Sequence, residues 1–335
     1  MRFILRRLWF YVVAAFVAIT INFIIPRLMP GNPLEAYLGK NQGSAVLTHS
    51  ALCAIAEQLN TTYQHCGHKQ PGIFVQYWDY LVNLAHLNLG VSATYDTTVA
   101  HEIALTLPWT AALVGFSTIL AFALGTLIGI VAAWRRGGAT DGSLPALSFF
   151  QGIPYFFLAL LLQEIFTVHW HFLPSTGGDS TSVVVGMNWP FIASALEHSI
   201  LPAATLVLAS MAGWSVGMRN VMLTTISEEY VLAAQAKGLS TRRVVWTYAA
   251  RNAILPNIAG FANALGLAVS GVLIMELVFS YPGIGNTLYQ AVTGEDYPLL
   301  QGIFLVISLS VLAANFIADG VYVILDPRTR RRAAD

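Results

Sequence analysis

Apolar residues in this chain neither alternate with polar ones nor recur singly; they run. Six stretches carry no Asp, Glu, Lys or Arg: residues 8–26, 103–134, 142–163, 198–218, 252–275 and 297–318. A helix needs about 20 mostly apolar residues to cross a bilayer core of ~30 Å. Each run therefore predicts one membrane-crossing helix. The second run exceeds what a span needs, so its start at 103–108 reads as a helical lead-in. A further apolar stretch, 183–196, is too short to cross and holds Pro190. It predicts an interfacial or re-entrant segment.

The basic residues orient these spans. Arg2, Arg6 and Arg7 precede the first, and Arg135 and Arg136 follow the second. Arg219, Lys237, Arg242, Arg243 and Arg251 fall between the fourth and fifth. Arg328, Arg330, Arg331 and Arg332 close the chain. Only Arg27, Lys40 and Lys69 are left for the opposite side. Basic residues accumulate in cytoplasmic connections, so both termini are expected in the cytoplasm. The first span resembles a signal peptide in its basic start. It is too long for a signal core, and Pro26, Arg27, Pro30, Gly31 and Pro33 follow where a small-residue cleavage site would stand. An uncleaved anchor is expected.

Composition agrees with this pattern. Of 335 residues, 56% are hydrophobic and 10% charged, against about 25% charged in soluble domains. Mean hydropathy is +0.63. A water-soluble enzyme, a disordered chain and a nucleic-acid binder are excluded. The 17 basic and 17 acidic residues cancel, so no global field recruits polyanions. The fold class is all-α, a polytopic membrane protein with six transmembrane helices. Two regions follow: 1–100, with one helix and a long extracytoplasmic loop, and 101–335, with five helices. Small residues recur in the second and fifth spans (Gly115, Gly125, Gly129; Gly260, Gly266, Gly271), which suits close helix packing.

The outer loop holds both cysteines, Cys53 and Cys66. The outside is oxidising, so the pair is a disulfide candidate. A metal site is the alternative, since His65, Cys66 and His68 are crowded, but the spacing is irregular and no metal is expected. The end of the loop, with Tyr77, Trp78 and Tyr80, reads as an amphipathic segment able to lie on the membrane or on a partner.

The most informative segment lies between the fourth and fifth spans, in 223–253. Residues 228–237 are mostly good helix formers. Gly238 supplies a stop, Ser240 can cap a second helix from Thr241, and Pro256 is expected to start the fifth span. The apolar positions Tyr230, Val231, Ala233, Ala234 and Leu239 have no lipid to face and suit a groove on another protein.

This segment resembles the coupling motif of ABC-importer permeases, the loop that docks on an ATPase subunit. Gly238 stands as the motif glycine, after Ala233, Ala234, Ala236 and Lys237, and the motif closes at Ile254, Leu255 and Pro256. Leu232 stands where an acidic residue is expected, and the glycine-to-proline distance is long. Both departures are similar to the dipeptide/oligopeptide branch, with A-x-A-K-G-L-S at 234–240, R-R-V at 242–244 and R-N-A-x-L-P at 251–256. The pieces R-R-L at 6–8, P-G-N-P at 30–33, F-L-P-S-T-G at 172–177, S-Y-P-G-I-G at 280–285, D-Y-P at 296–298 and L-D-P-R at 325–328 also resemble that branch.

The resemblance implies an ABC type I importer-like transmembrane domain. A second homologous permease subunit, two ATP-binding-cassette ATPases and an extracytoplasmic solute-binding protein would be its partners in a bacterial or archaeal inner membrane. Peptides are the implied substrate; oligosaccharides and nickel are carried in the same branch. Glu229, Ala233, Ala234, Ala236, Lys237, Gly238, Leu239, Ser240, Arg242 and Arg243 would form the docking surface. No phosphate-cradling glycine loop occurs in the sequence, so no cofactor is expected in this chain, and ATP and magnesium would bind the partner ATPases. Acids inside apolar spans usually face a bundle interior. Glu276, with Asn263 before it, Asp319 and Glu164 are thus translocation-path candidates. The same acids would serve an ion-coupled carrier working alone, the competing reading from another class.

Overall fold

The structure, a computed structural model, describes residues 2–28 and 72–325. Among these the chain is helical, with one isolated bridge between Val91 and Thr98. In chain order the helices are α1 (Arg2–Leu28), α2 (Ile73–Ala85), α3 (Val99–Trp134), α4 (Ala139–Gly142), α5 (Leu144–Gly152), α6 (Tyr155–Gln163) and α7 (Trp189–Ile226). Then come α8 (Glu229–Ala236), α9 (Thr241–Arg243), α10 (Arg251–Gly271), α11 (Leu273–Val278), α12 (Ile284–Thr293) and α13 (Tyr297–Leu325). Apolar runs adopt this form because lipid offers no hydrogen bonds, and a helix satisfies its backbone internally. Cys53 and Cys66, with His65 and His68, lie outside the described residues.

Four helical stretches are long and apolar enough to cross a membrane: Arg7–Ile25, Val99–Trp134, Trp189–Ile226 and Tyr297–Ile317. A fifth candidate is the pair Ala139–Gly152 and Tyr155–His169, whose arms are bent by 102°. The expected straight span over 142–163 is therefore broken. Ile153 is extended (φ −84°, ψ 126°) ahead of Pro154, because a proline ring excludes the helical region for the residue before it. Six crossing helices were expected; the described residues give four, or five with the bent pair. The run 252–275 is helical as α10 and α11, parted at Val272.

Two further expectations change. Residues 189–196 are not an interfacial piece; they are the first turns of the 38-residue α7. Asn188 caps this helix, its Oδ1 accepting from the Phe191 amide at 2.9 Å. Pro190 falls where the helix has no amide partner to lose. Pro256 lies inside α10 rather than at its start, since helical backbone is already continuous from Thr241 through a π-helical turn at Val244–Ala250.

The chain divides into two compact units. The first comprises Met1–Leu5, Ala111–Tyr281 and Ala313–Asp335. Here α3 and α7 meet at Gly125 and Gly129, one turn apart on one helix face. A Cβ on Gly125 would stand 2.6 Å from the Met211 carbonyl oxygen, and one on Gly129 would stand 2.5 Å from that of Ser215. Both glycines are thus steric requirements of the close packing expected for them, whereas Gly115 faces open space. Next to this contact Phe122 packs on Trp214 (5.2 Å between ring centroids) and on Phe261 (4.5 Å). Arg219 Nε donates to Asp141 Oδ1 at 2.6 Å, tying the later part of α7 to α4.

The second unit comprises Arg6–Thr110 and Pro282–Leu312. Its centre is Asp296, which is fully buried. Asp296 Oδ2 accepts from Ser92 Oγ and from the Thr94 amide, and Oδ1 accepts from the Leu299 amide in the first turn of α13. Thr110 Oγ1 accepts from the Ile284 amide at 2.8 Å, satisfying the start of α12. Asn22 on α1 donates through Nδ2 to the Gln301 carbonyl at 2.8 Å. A Cβ on Gly302 would overlap Val99, so α13 also approaches the start of α3 through a glycine.

Candidate functional site

After α7 the chain turns through Ser227 and Glu228 into the eight-residue α8. Glu229 sits in its first turn, where a carboxylate complements the positive end of the helix dipole. Ala233, Ala234 and Ala236 supply the best helix-forming side chain. The stop is a complete Schellman motif. Gly238 adopts φ +70°. Its amide donates to the Gln235 carbonyl at 2.9 Å, and the Leu239 amide donates to the Ala234 carbonyl at 3.4 Å. Nothing lies within 4 Å of where a Gly238 side chain would be. Glycine is needed here for the left-handed backbone and not for room.

Leu239 and Ser240 then reverse the chain into α9. Ser240 holds the N-cap position with extended backbone (φ −59°, ψ 142°), but its side chain makes no capping hydrogen bond, contrary to expectation. The π-helical turn Val244–Ala250 follows. Such turns carry one extra residue per hydrogen-bonded ring and shift the facing of everything beyond them.

This elbow has two faces. Val231, Ala234, Val244, Val245, Ala249, Ala250 and Ala253 are buried together against Ile130 and Ala133 of α3 and Met218 and Met222 of α7. Leu239 packs on the same cluster from its edge. Full burial of one such aliphatic side chain stabilises by about 1.5–3 kcal/mol, so the elbow is fixed to the two long helices. Val231 and Ala234 therefore do not face a partner; they anchor the elbow to its own chain. That corrects the expectation for Ala234, at 3% exposure. The opposite face presents Glu229, Tyr230, Leu232, Ala233, Gln235, Ala236, Lys237 and Gly238, all exposed. Ser240, Thr241, Arg242 and Arg243 continue it. A shallow depression of about 380 Å³ lies among Ser240, Arg242, Arg243, Trp246 and Thr247. Trp246 and Thr247 were not expected at the site. The signal for them was the four-residue spacing from Arg242 and Arg243, which places them on the same helical face.

The candidate path residues lie on different elements. Glu276 is fully buried in α11, and its carbonyl accepts from the Tyr281 amide at 2.8 Å. Glu164 is exposed in the π-helical turn Glu164–His169, and Asp319 is half-buried in α13. Asn263 lies in α10, its side chain outside the described set. A different set of side chains surrounds the cavity of the first unit. This space of about 720 Å³ lies beside the break at Pro154. Thr118, Gln151, Tyr155, Ser210 and Trp214 give it polar atoms within an otherwise apolar wall. Glu164, Glu276 and Asp319 are not among its described lining. Uncharged groups such as Gln151 and Ser210 carry no charge signal within an apolar run.

A family model described as "binding-protein-dependent transport system inner membrane component" matches residues 125–331. The chain is 31% identical to a di/tripeptide transport system permease protein DppB of Pseudomonas aeruginosa, over 98% of this chain and 99% of that one. It is 30% identical to the dipeptide transport system permease protein DppB of Escherichia coli, over 99% of each. Among solved structures, the MetNI methionine ABC transporter in inward-facing conformations superposes with a TM-score of 0.53 at 16% identity, covering 67% of this chain and 96% of that chain. That likeness is one of fold.

Proposed function

Because the chain belongs to the binding-protein-dependent transport system inner membrane components, we propose that it is the permease subunit of an ABC importer of di- and oligopeptides. With a second, homologous permease it would form the translocation path. Peptide, rather than oligosaccharide or nickel, is favoured by the di/tripeptide and dipeptide systems named for its relatives. In this reading a solute-binding protein delivers the peptide on the outer side. Two separate ATPase subunits bind ATP and magnesium, and this chain carries no cofactor. The chain crosses the membrane six times with both termini inside, α10 and α11 supplying the crossing beyond the elbow.

The observation that carries the coupling role is the two-faced elbow. A helix anchored by Val231 and Ala234 yet exposed along Leu232, Ala233 and Ala236 can seat in a groove of an ATPase and pass its movement on. Lys237, Arg242 and Arg243 supply the polar rim. The path in this chain is the cavity at Pro154, whose neutral polar groups suit a peptide that must pass without being held.

The test is Ala233→Glu, an exposed position where a larger side chain meets no core. Assembly of the variant chain with its second permease should persist, while the ATPases fail to co-purify and peptide uptake stops. Normal ATPase retention together with normal uptake would overturn the docking role.

A further inference from the structure

The helix α2 (Ile73–Ala85) has a face that the coupling role does not use. One side packs on α1. Thr20 Oγ1 and the Tyr77 hydroxyl share a hydrogen bond of 2.7 Å, and Asn22 Nδ2 donates to the Tyr80 hydroxyl at 3.3 Å. Phe23 lies between both tyrosine rings, at 5.0 and 5.5 Å. The adjoining side is apolar and open. Phe74, Trp78 and Val82, at four-residue spacing, are 85%, 66% and 40% exposed. Asp79 and Asn83 mark a third, polar side.

The point of attachment decides what covers the open stripe. Thr20 and Asn22 stand five and three residues before Ile25, where the apolar span of α1 ends. At ~1.5 Å per residue this ties α2 about 5–8 Å inside that end. Amphipathic helices that lie in a bilayer surface bury their apolar face to about 5–10 Å, at the boundary of headgroups and acyl chains. The lipid-facing surface of α1 continues at this level through exposed Ile21, Ile24 and Ile25. The polar side starts at Asp79, on the flank of the stripe next to Val82, and continues to Asn83, about 140° round the helix axis from Trp78.

We propose that α2 is an interfacial helix whose Phe74, Trp78 and Val82 stripe inserts into the lipid boundary layer where α1 leaves the bilayer. It props the end of the first span against the membrane surface, independently of what the transporter carries.

Two measurements on the full transporter in phospholipid nanodiscs test this. Spin labels are placed at Phe74→Cys, Val82→Cys, Asp79→Cys and Asn83→Cys, with Cys53 and Cys66 replaced by serine. Labels at 74 and 82 should show a several-fold higher ratio of oxygen to nickel-complex accessibility than those at 79 and 83. In the unlabelled protein, brominated phospholipid should quench fluorescence that is lost in Trp78→Phe. Equal nickel access at all four sites, or no bromolipid-sensitive difference for Trp78, overturns the proposal. So does shielding of 74 and 82 that arises only when purified solute-binding protein is added, which assigns the stripe to that protein.

Discussion

Ser92 Oγ donates to Asp296 Oδ2 across 2.5 Å, although 204 positions separate them. The same carboxylate accepts the Thr94 amide and caps the start of α13 through the Leu299 amide. A fully buried carboxylate is tolerated only where hydrogen bonds replace its water. Hydrogen bonds to charged groups are worth about 1.5–3 kcal/mol each. Asp296→Ala should therefore lower the thermal midpoint of the purified protein by several degrees, and Ser92→Ala by less. Thermal unfolding in detergent, followed by tryptophan fluorescence, measures both. An unchanged midpoint in Asp296→Ala would remove the carboxylate from the centre of its unit.

The contact of α3 with α7 gives a contrast within one helix. Gly125→Leu and Gly129→Leu drive side chains into the backbone of α7, which cannot yield as a flexible side chain can. Gly115→Leu points into open space. Size-exclusion profiles of fluorescently tagged variants should show loss of folded protein for the first two and wild-type levels for the third.

Gly238 separates backbone from bulk. With φ +70° and nothing within 4 Å, its replacement costs only the left-handed conformation, about 1–2 kcal/mol for an ordinary residue. Asparagine, which tolerates that region better, should keep more uptake than valine, whose β-branching is least compatible with it. Initial rates of peptide uptake at equal expression would order them Gly, Asn, Ala, Val. A ranking by side-chain volume alone, with Ala above Asn, would show that Gly238 is instead packed against a partner.

The cavity beside Pro154 can be filled without disturbing the fold. The three atoms nearest to a Cβ on Gly213 all belong to the amide end of Gln151, the first at 3.2 Å, and that flexible end can give way. Gly213→Phe should then assemble and bind ATPases normally while peptide uptake falls at least tenfold, measured in vesicles. Uptake at wild-type rate would take the path away from this cavity.

How much of this could be read from the residues follows from range. The crossing helices at 7–25, 99–134 and 297–317 were legible because an uncharged run of that length has few other fates. The broken run at Pro154 was not, because hydropathy is blind to a bend and only the local chemistry of Ile153 and Pro154 reports it. The elbow was legible in its helix, its glycine stop and its reversal. Its sidedness was not: Val231 and Ala233 are both apolar, and which of them turns inward depends on Met218 and Met222, distant in sequence. The bond between Ser92 and Asp296 has no local signature in either segment. Charge is conspicuous in an apolar span, as at Glu164, Glu276 and Asp319, while uncharged groups around the cavity such as Gln151 and Ser210 are inconspicuous.

The most direct measurement is photo-crosslinking from the elbow. A benzophenone amino acid is placed singly at Leu232, at Ala236 and, on the far polar side of α2, at Asn83, in transporter expressed with its ATPases. Adducts with an ATPase subunit should form from Leu232 and Ala236, whose side chains point away from the core cluster, and not from Asn83. Absence of ATPase adducts from both elbow positions in an assembled, transport-active complex would contradict docking at this surface.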